Sequence, residues 1–273
     1  MIAAASFLAM AVTLLLNLVG PVVLLVVLCR KRKGVFGAWA GGALGFFLPQ
    51  VVIRIPILQF LGTLPGFQAF SQSHAVLFVF LLALTAALFE TAGRFLVLRA
   101  LLYKRLSYMT GVAAGAGHGG IESVMLVGLT YVNNLVLGVL LNAGLLPTIL
   151  PDPALRDQIT QALLAVSPDQ FLMAGIERVL TMAFHMALSV LLALFLLRKR
   201  TVIGLLLVVL AHWALDFGVG LLQVAGVNLW LIEGVVLLAA LLSIVFIVRI
   251  RPAFGDNGSI PIDPGEQAVR EGY

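Results

Sequence analysis

The amino-acid sequence predicts an all-α, polytopic bundle of about seven transmembrane helices. Of its 273 residues, 62% are hydrophobic and only 11% are charged, and the mean hydropathy is +1.12. A soluble globular domain has roughly 45–50% apolar and about 25% charged residues. The apolar residues form continuous runs instead of alternating with polar ones, which favours helices over a transmembrane barrel.

Seven apolar runs are each long enough to cross a bilayer, which takes about 20 residues of helix. The first run precedes its basic cluster, the reverse of a cleaved signal peptide, so we interpret it as a retained spanning helix. Pro49 and Pro56 are expected to kink the second run. In the fourth run a cluster of glycines near the start is expected to break or unwind the helix. The runs cover residues 2–28, 35–61, 75–102, 109–146, 171–197, 201–224 and 229–248.

Basic residues mark alternate loops along the chain, and the intervening loops carry almost no Lys or Arg. Under the positive-inside rule this pattern places the N-terminus outside and the C-terminus inside. Two polar segments, residues 62–73 and 147–170, are predicted to be a short link and a loop. The basic clusters lie at residues 30–33, 99–105, 198–200 and 249–251.

The transmembrane domain is predicted to cover residues 1–251, and residues 252–273 are predicted to form a disordered cytoplasmic tail rich in Gly and Pro. The single cysteine, Cys29, excludes an internal disulfide and a cysteine metal cage. The net charge of +5 does not indicate nucleic-acid binding, because the basic residues lie at the ends of the apolar runs. The expected partner is therefore the lipid bilayer.

Ionisable residues inside four of the apolar runs are the candidate functional residues. A charged side chain near the bilayer centre costs a few kcal/mol, so we expect these groups to converge inside the bundle. A rise of about 1.5 Å per residue places the three histidines near the middle of the membrane, Glu90 a little closer to the cytoplasmic half, and Glu177 near the outer third of its span. The groups are Glu90 with Arg94, His118 with Glu122, Glu177 with His185, and His212 with Asp216.

Imidazole and carboxylate groups are ligands that suit zinc, and catalytic zinc sites use three protein ligands plus a water. We interpret the three intramembrane histidines as metal ligands or oxyanion-stabilising groups. Glu122 is the first choice of general base and Glu90 the second, and Asp216 is expected to orient an imidazole or to act as a ligand. The histidines are His118, His185 and His212.

These residues also have structural interpretations. A lone intramembrane His or Glu often only joins two helices by a hydrogen bond, and Glu90 could form a buried ion pair with Arg94, four residues away. Arg54 is expected to contact a protein group or to reach the interface. At the level of function, the same cluster would also suit an ion- or proton-coupled transporter, or it could persist in a non-catalytic membrane scaffold.

The polar motifs of the third to sixth spans resemble the YhfC family of intramembrane metallopeptidases, which is grouped with the CAAX-prenyl-protease-like (CPBP) and PrsW membrane peptidases. In the CAAX relatives the first motif begins with two glutamates, whereas this sequence has Phe89 before Glu90. Glu122 is then expected to supply the base and Glu90 to pair with Arg94. The motifs are Glu90-x-x-x-Arg94, the Gly-His-Gly-Gly-x-Glu stretch from Gly117 to Glu122, Glu177-Arg178 with His185, and His212-x-x-x-Asp216.

The resemblance implies metal-dependent or glutamate-assisted hydrolysis of a peptide bond. The implied substrate is a membrane protein or peptide, and the implied location is a bacterial cytoplasmic membrane.

Overall fold

The computed structural model describes residues 1–31 and 34–255, and the regular structure within these ranges is entirely helical. The predicted all-α bundle is confirmed, because seven helical stretches are long and apolar enough to cross a membrane. Their bounds are Ala4–Arg30, Val35–Gly62, Ala75–Leu101, Tyr108–Asn142, Pro168–Leu197, Thr201–Val224 and Leu229–Phe254.

Twelve α-helices build these spans and the segments that join them in the described part of the chain. They are α1 (Ala4–Lys31), α2 (Val35–Phe46), α3 (Ile55–Gly62), α4 (Pro65–Ser73), α5 (Ala75–Leu96), α6 (Tyr108–Glu122), α7 (Leu129–Asn142), α8 (Leu146–Ile149), α9 (Pro153–Ala165), α10 (Pro168–Leu197), α11 (Thr201–Val224) and α12 (Leu229–Ile250).

Three spans contain a π-helical segment, at Phe47–Arg54, Val97–Leu101 and Ser123–Gly128. The first includes Pro49, whose missing N–H interrupts the regular hydrogen-bond ladder where the sequence predicted a kink. The expectation that the glycine cluster breaks the fourth span is wrong. Helix α6 continues through all of these glycines, and the irregular segment begins only at Ser123.

The glycines of α6 let this helix pack closely against α2 on one side and α10 on the other. A Cβ added at Gly117 would overlap the carbonyl oxygen of Trp39 on α2. One added at Gly115 would lie 2.7 Å from the carbonyl oxygen of His185 on α10. Small residues of this kind let helix backbones approach each other in a membrane, so α6 becomes the central helix of the site.

The two segments predicted to be without helix are largely helical, which corrects the sequence prediction. Helix α4 lies within the 62–73 link, α9 lies within residues 147–170, and α8 overlaps the start of that segment. Pro65 and Pro153 occupy the first turns of α4 and α9, where a missing N–H costs nothing. Asp152 also caps α9 by accepting a hydrogen bond from the Ala154 N–H at 2.9 Å.

The chain after α12 begins with a 3-10 turn, Arg251–Phe254. Phe254 is buried, and its ring packs edge to face on Tyr108 with centroids 5.7 Å apart. The rest of the predicted tail, residues 256–273, lies outside the described residues, as do residues 32 and 33 of the first basic cluster.

Candidate metal centre

Four buried side chains from three helices meet at the centre of the bundle. Glu90 comes from α5, His118 and Glu122 from α6, and His185 from α10. One nitrogen or oxygen atom of each lies within 4.8 Å of the corresponding atoms of the others. We call these four residues the His–Glu group.

The His–Glu group consists of two pairs that cross between helices. His118 Nε2 lies 3.0 Å from Glu90 Oε2, and His185 Nε2 lies 2.7 Å from Glu122 Oε2. The two imidazole rings stack with centroids 4.9 Å apart. The pairs therefore lie side by side, and a single small ligand between them could contact both.

His212 and Asp216 of α11 lie beside this group. His212 Nε2 is 3.6 Å from Glu90 Oε2 and 3.4 Å from Asp216 Oδ2. The sequence analysis placed His212 in a three-histidine ligand set, but in the structure two histidines and two glutamates form the compact group. His212 adjoins the group through Glu90, and its Nε2 also faces Asp216.

Arg94 bonds to α10 and not to Glu90. Its Nε donates to Ser189 Oγ at 3.0 Å, and its Nη2 donates to His185 Nδ1 at 3.1 Å. The Glu90–Arg94 ion pair that the sequence favoured is not found among the ion pairs of the described residues. The Glu90 carboxylate is instead bonded to His118 and Gln50, so Arg94 acts on the site through His185.

Gln50, in the π-helical segment of the second span, binds the Glu90 oxygen that does not face His118, and Arg54 of the same segment binds Gln50. Gln50 Nε2 donates a short hydrogen bond to Glu90 Oε1. Arg54 Nη1 donates to Gln50 Oε1 at 3.2 Å, and its other nitrogens donate to Thr85 Oγ1 and the Leu82 carbonyl. Arg54 is thus bonded to protein groups, one of the two environments expected for it.

Arg178 of α10 holds Glu122. Its Nη1 donates to Glu122 Oε1 at 2.9 Å, and its Nη2 donates to Glu177 Oε1. Only 21% of the Arg178 side chain is exposed. The Glu122 carboxylate is therefore held by a cation on one oxygen and lies against an imidazole with the other.

The sequence analysis gave no role at the site to Gln50, Arg178 or Ser189, although spacing signals were present. Gln50 precedes Arg54 by four residues and Ser189 follows His185 by four, so each pair shares a helix face. Arg178 precedes His185 by seven residues, which is two helical turns.

Residues 14–237 of the chain match the family described as YhfC intramembrane metalloprotease. This range contains the His–Glu group and the residues that hold it. The chain belongs to this family. The uncharacterized membrane protein YhfC of Bacillus subtilis (strain 168) is 26% identical to the chain over 242 residues, which are 86% of this chain and 92% of the relative. No solved structure matches the chain.

The His–Glu group fits the divalent metal ion that a YhfC-family metalloprotease implies. Imidazole nitrogens and carboxylate oxygens are suitable ligands for such an ion. Two buried atoms of the group, His118 Nδ1 and Glu122 Oε2, lack a hydrogen bond. The 2.7 Å approach of Glu122 Oε2 to His185 does not have hydrogen-bond geometry. Unsatisfied buried atoms are costly in a protein interior, and a bound cation together with its water would give such atoms partners.

A polar cavity of about 300 Å³ adjoins the His–Glu group. Helices α10 and α11 form most of its wall, and α12 contributes Val236. It contacts both glutamates of the group as well as His185 and His212. A small substrate segment and water could therefore reach the group through this space.

Proposed function

We propose that this protein is an intramembrane metallopeptidase that hydrolyses peptide bonds of membrane proteins or peptides in a bacterial cytoplasmic membrane. The observation that carries the proposal is the His–Glu group itself. Two histidines and two glutamates lie buried within apolar spans and adjoin a polar cavity. Groups that are costly to bury in a membrane indicate function by default.

In this proposal His118 and Glu90 hold the metal ion, for which we favour zinc. His185 joins them when its ring releases the Arg94 contact at Nδ1 and frees a nitrogen lone pair. Gln50 donates to Glu90 Oε1, while Glu90 Oε2 faces His118. This carboxylate is therefore fixed on both sides, as outer hydrogen bonds commonly fix metal ligands. A divalent ion at this position would supply Lewis acidity toward the carbonyl oxygen of a peptide bond.

Glu122 is the general base of the proposed reaction. Arg178 holds its Oε1, and its Oε2 has no hydrogen bond, so one oxygen is available to accept a proton from water. The same carboxyl group can then deliver that proton to the departing amine. Because Glu122 lines the cavity, a water molecule there would lie within its reach.

His212 and Asp216 act together beside the base. His212 lines the cavity, and its Nε2 lies near both Asp216 and Glu90. An imidazole N–H in this place can donate to the negative charge that develops on the substrate oxygen. Asp216, 38% exposed at its side chain, orients the ring.

Proteolysis by the purified, metal-loaded protein in lipid vesicles tests this proposal. New N-termini in a mixture of added membrane proteins and peptides would be identified by mass spectrometry. Glu122→Gln is expected to lower cleavage by about 10²–10⁴-fold, because it removes the general base. Glu233→Gln is the matched control, since Glu233 is as buried as Glu122, at 7% exposure, but lies on α12 outside the group.

Glu233→Gln should cleave like the wild type. Equal cleavage by Glu122→Gln and the wild type would contradict the role of Glu122. No cleavage by a metal-loaded wild type would contradict the proposed activity.

A further inference from the structure

The cavity beside the His–Glu group extends toward a defined end of the bundle. On α10 its lining runs from His185 back to Glu177, and on α11 it runs from His212 forward to Gln223. Gln223 is exposed and lies near the end of α11. The cavity therefore leads from the buried group to the end of the bundle where α10 begins and α11 ends.

The basic loops lie at the opposite end of the bundle. Helix α10 ends at Leu197 and is followed directly by Arg198, Lys199 and Arg200. Under the positive-inside rule those residues face the cytoplasm. The cavity mouth then faces the extracytoplasmic side.

Polar side chains line this route and favour water within it. The side chains of Glu177 and Asp216 are 28% and 38% exposed, and Thr181 lies on the same wall. Charged and polar groups in a membrane protein face such water-filled cavities in preference to lipid. Water and a peptide substrate can therefore reach Glu122 without crossing an apolar layer.

The size of the cavity restricts the shape of a substrate. Ligand pockets commonly enclose about 300–1,000 Å³. The cavity has about 300 Å³, at the small end of that range. This size favours an extended segment with one or two side chains over a helical turn.

We propose that the substrate of this site is an extended peptide segment at the extracytoplasmic edge of the membrane, admitted between α10 and α11. The proposal rests on the proposed peptidase function for its chemistry. It adds the side of entry and the conformation of the substrate.

Single-cysteine labelling in intact cells tests this route, with Cys29→Ser as the background because Cys29 is the one native cysteine. Thr181→Cys places a thiol on the cavity wall. A small, membrane-impermeant cationic methanethiosulfonate added outside should modify it. Val179→Cys, two residues away on an exposed apolar position of the same helix, should remain unmodified, because a thiol in lipid does not form the reactive thiolate.

Further variants in the same cells control for the orientation of the protein in the membrane and for the width of the cavity. Asp157→Cys on exposed α9 should react from outside, and Arg200→Cys should react only after permeabilisation. A bulky polymer-linked maleimide should react with Asp157→Cys but not with Thr181→Cys.

Modification of Thr181→Cys only after permeabilisation, or in neither condition, would overturn the route of entry. Reaction of Thr181→Cys with the bulky reagent would overturn the narrow, extended fit. Metal content and cleavage are measured on the same variant, so the two proposals can fail separately. Normal metal binding and cleavage without labelling from outside would contradict only the proposed route of entry. Labelling without metal binding or cleavage would contradict the proposed peptide substrate.

Discussion

The close approach of α6 to α10 should control metal binding, and Gly115→Ala tests it. The added methyl group would lie 2.4 Å from the Met186 Cα and 2.7 Å from the carbonyl oxygen of His185. Ordinary van der Waals contact begins at 3.4 Å, so the two helices would have to separate by roughly 1 Å. The obstructing atoms belong to the backbone, and a change of side-chain rotamer cannot relieve the overlap.

This separation would move His185 away from His118 and Glu122, which lie on α6. Overpacking of this kind costs about 1–3 kcal/mol of stability. Changes outside the ligand shell commonly weaken metal binding by about 10–100-fold, and we expect Gly115→Ala to fall in that range. The dissociation constant for Zn²⁺ would be measured by competition with a chelating indicator, after circular dichroism has established that the variant is folded.

Gly218→Ala is the matched control, because a Cβ there has no heavy atom within 4 Å. It should bind metal like the wild type. A folded Gly115→Ala variant with wild-type affinity and an unchanged thermal midpoint would refute the claim that this glycine contact assembles the site.

Two further changes test the residues that hold the glutamates. Gln50→Leu removes the donor to buried Glu90 Oε1 and should lower the free energy of unfolding by about 1–3 kcal/mol, measured by chemical denaturation in detergent; an unchanged value would contradict the role of Gln50. Arg178→Met leaves Glu122 without its cation and should cost about 3–5 kcal/mol, whereas Val179→Met on the exposed face should cost little. The cost of Arg178→Met should shrink in a Glu122→Gln background, and equal costs in both backgrounds would show that the two side chains are not coupled.

Much of this architecture follows from the energetics of burial. Continuous apolar runs predict the spans, because each must satisfy its backbone hydrogen bonds as a helix inside the bilayer. The cost of placing ionisable side chains against lipid predicts that His118, Glu122, His185 and His212 meet in the bundle interior. The structure places the first three in one buried group with Glu90, and His212 lies beside this group, 3.6 Å from Glu90 Oε2.

The pairing within the group was not predictable from helix spacing. Glu90 and Arg94 share a face, yet the choice of partner depends on which neighbouring helices approach that face. Glu90 bonds to Gln50 and His118, whereas Arg94 bonds to Ser189 and His185. A face is a local property of one helix, whereas the partner depends on packing between helices.

The glycines of α6 show a similar limit. A glycine can weaken a helix or allow a neighbouring backbone to approach, and both outcomes are compatible with the same sequence. Only the positions of Trp39 and His185 on adjacent helices decide for the second. The helical segment α9 was missed because its residues 153–165 are more polar than the spans, and a continuous apolar run does not mark such a helix.

The metal content of the purified protein tests the central claim most directly. After loading with Zn²⁺ and removal of free metal, elemental analysis should find about one ion per chain, as expected for a mononuclear site of histidine and carboxylate ligands. His118→Ala should lose this ion, because His118 is 1% exposed within the His–Glu group. His74→Ala, at the exposed start of α5, should retain it. Full metal retention by a folded His118→Ala variant, or a wild type that binds no more metal than that variant, would contradict the account.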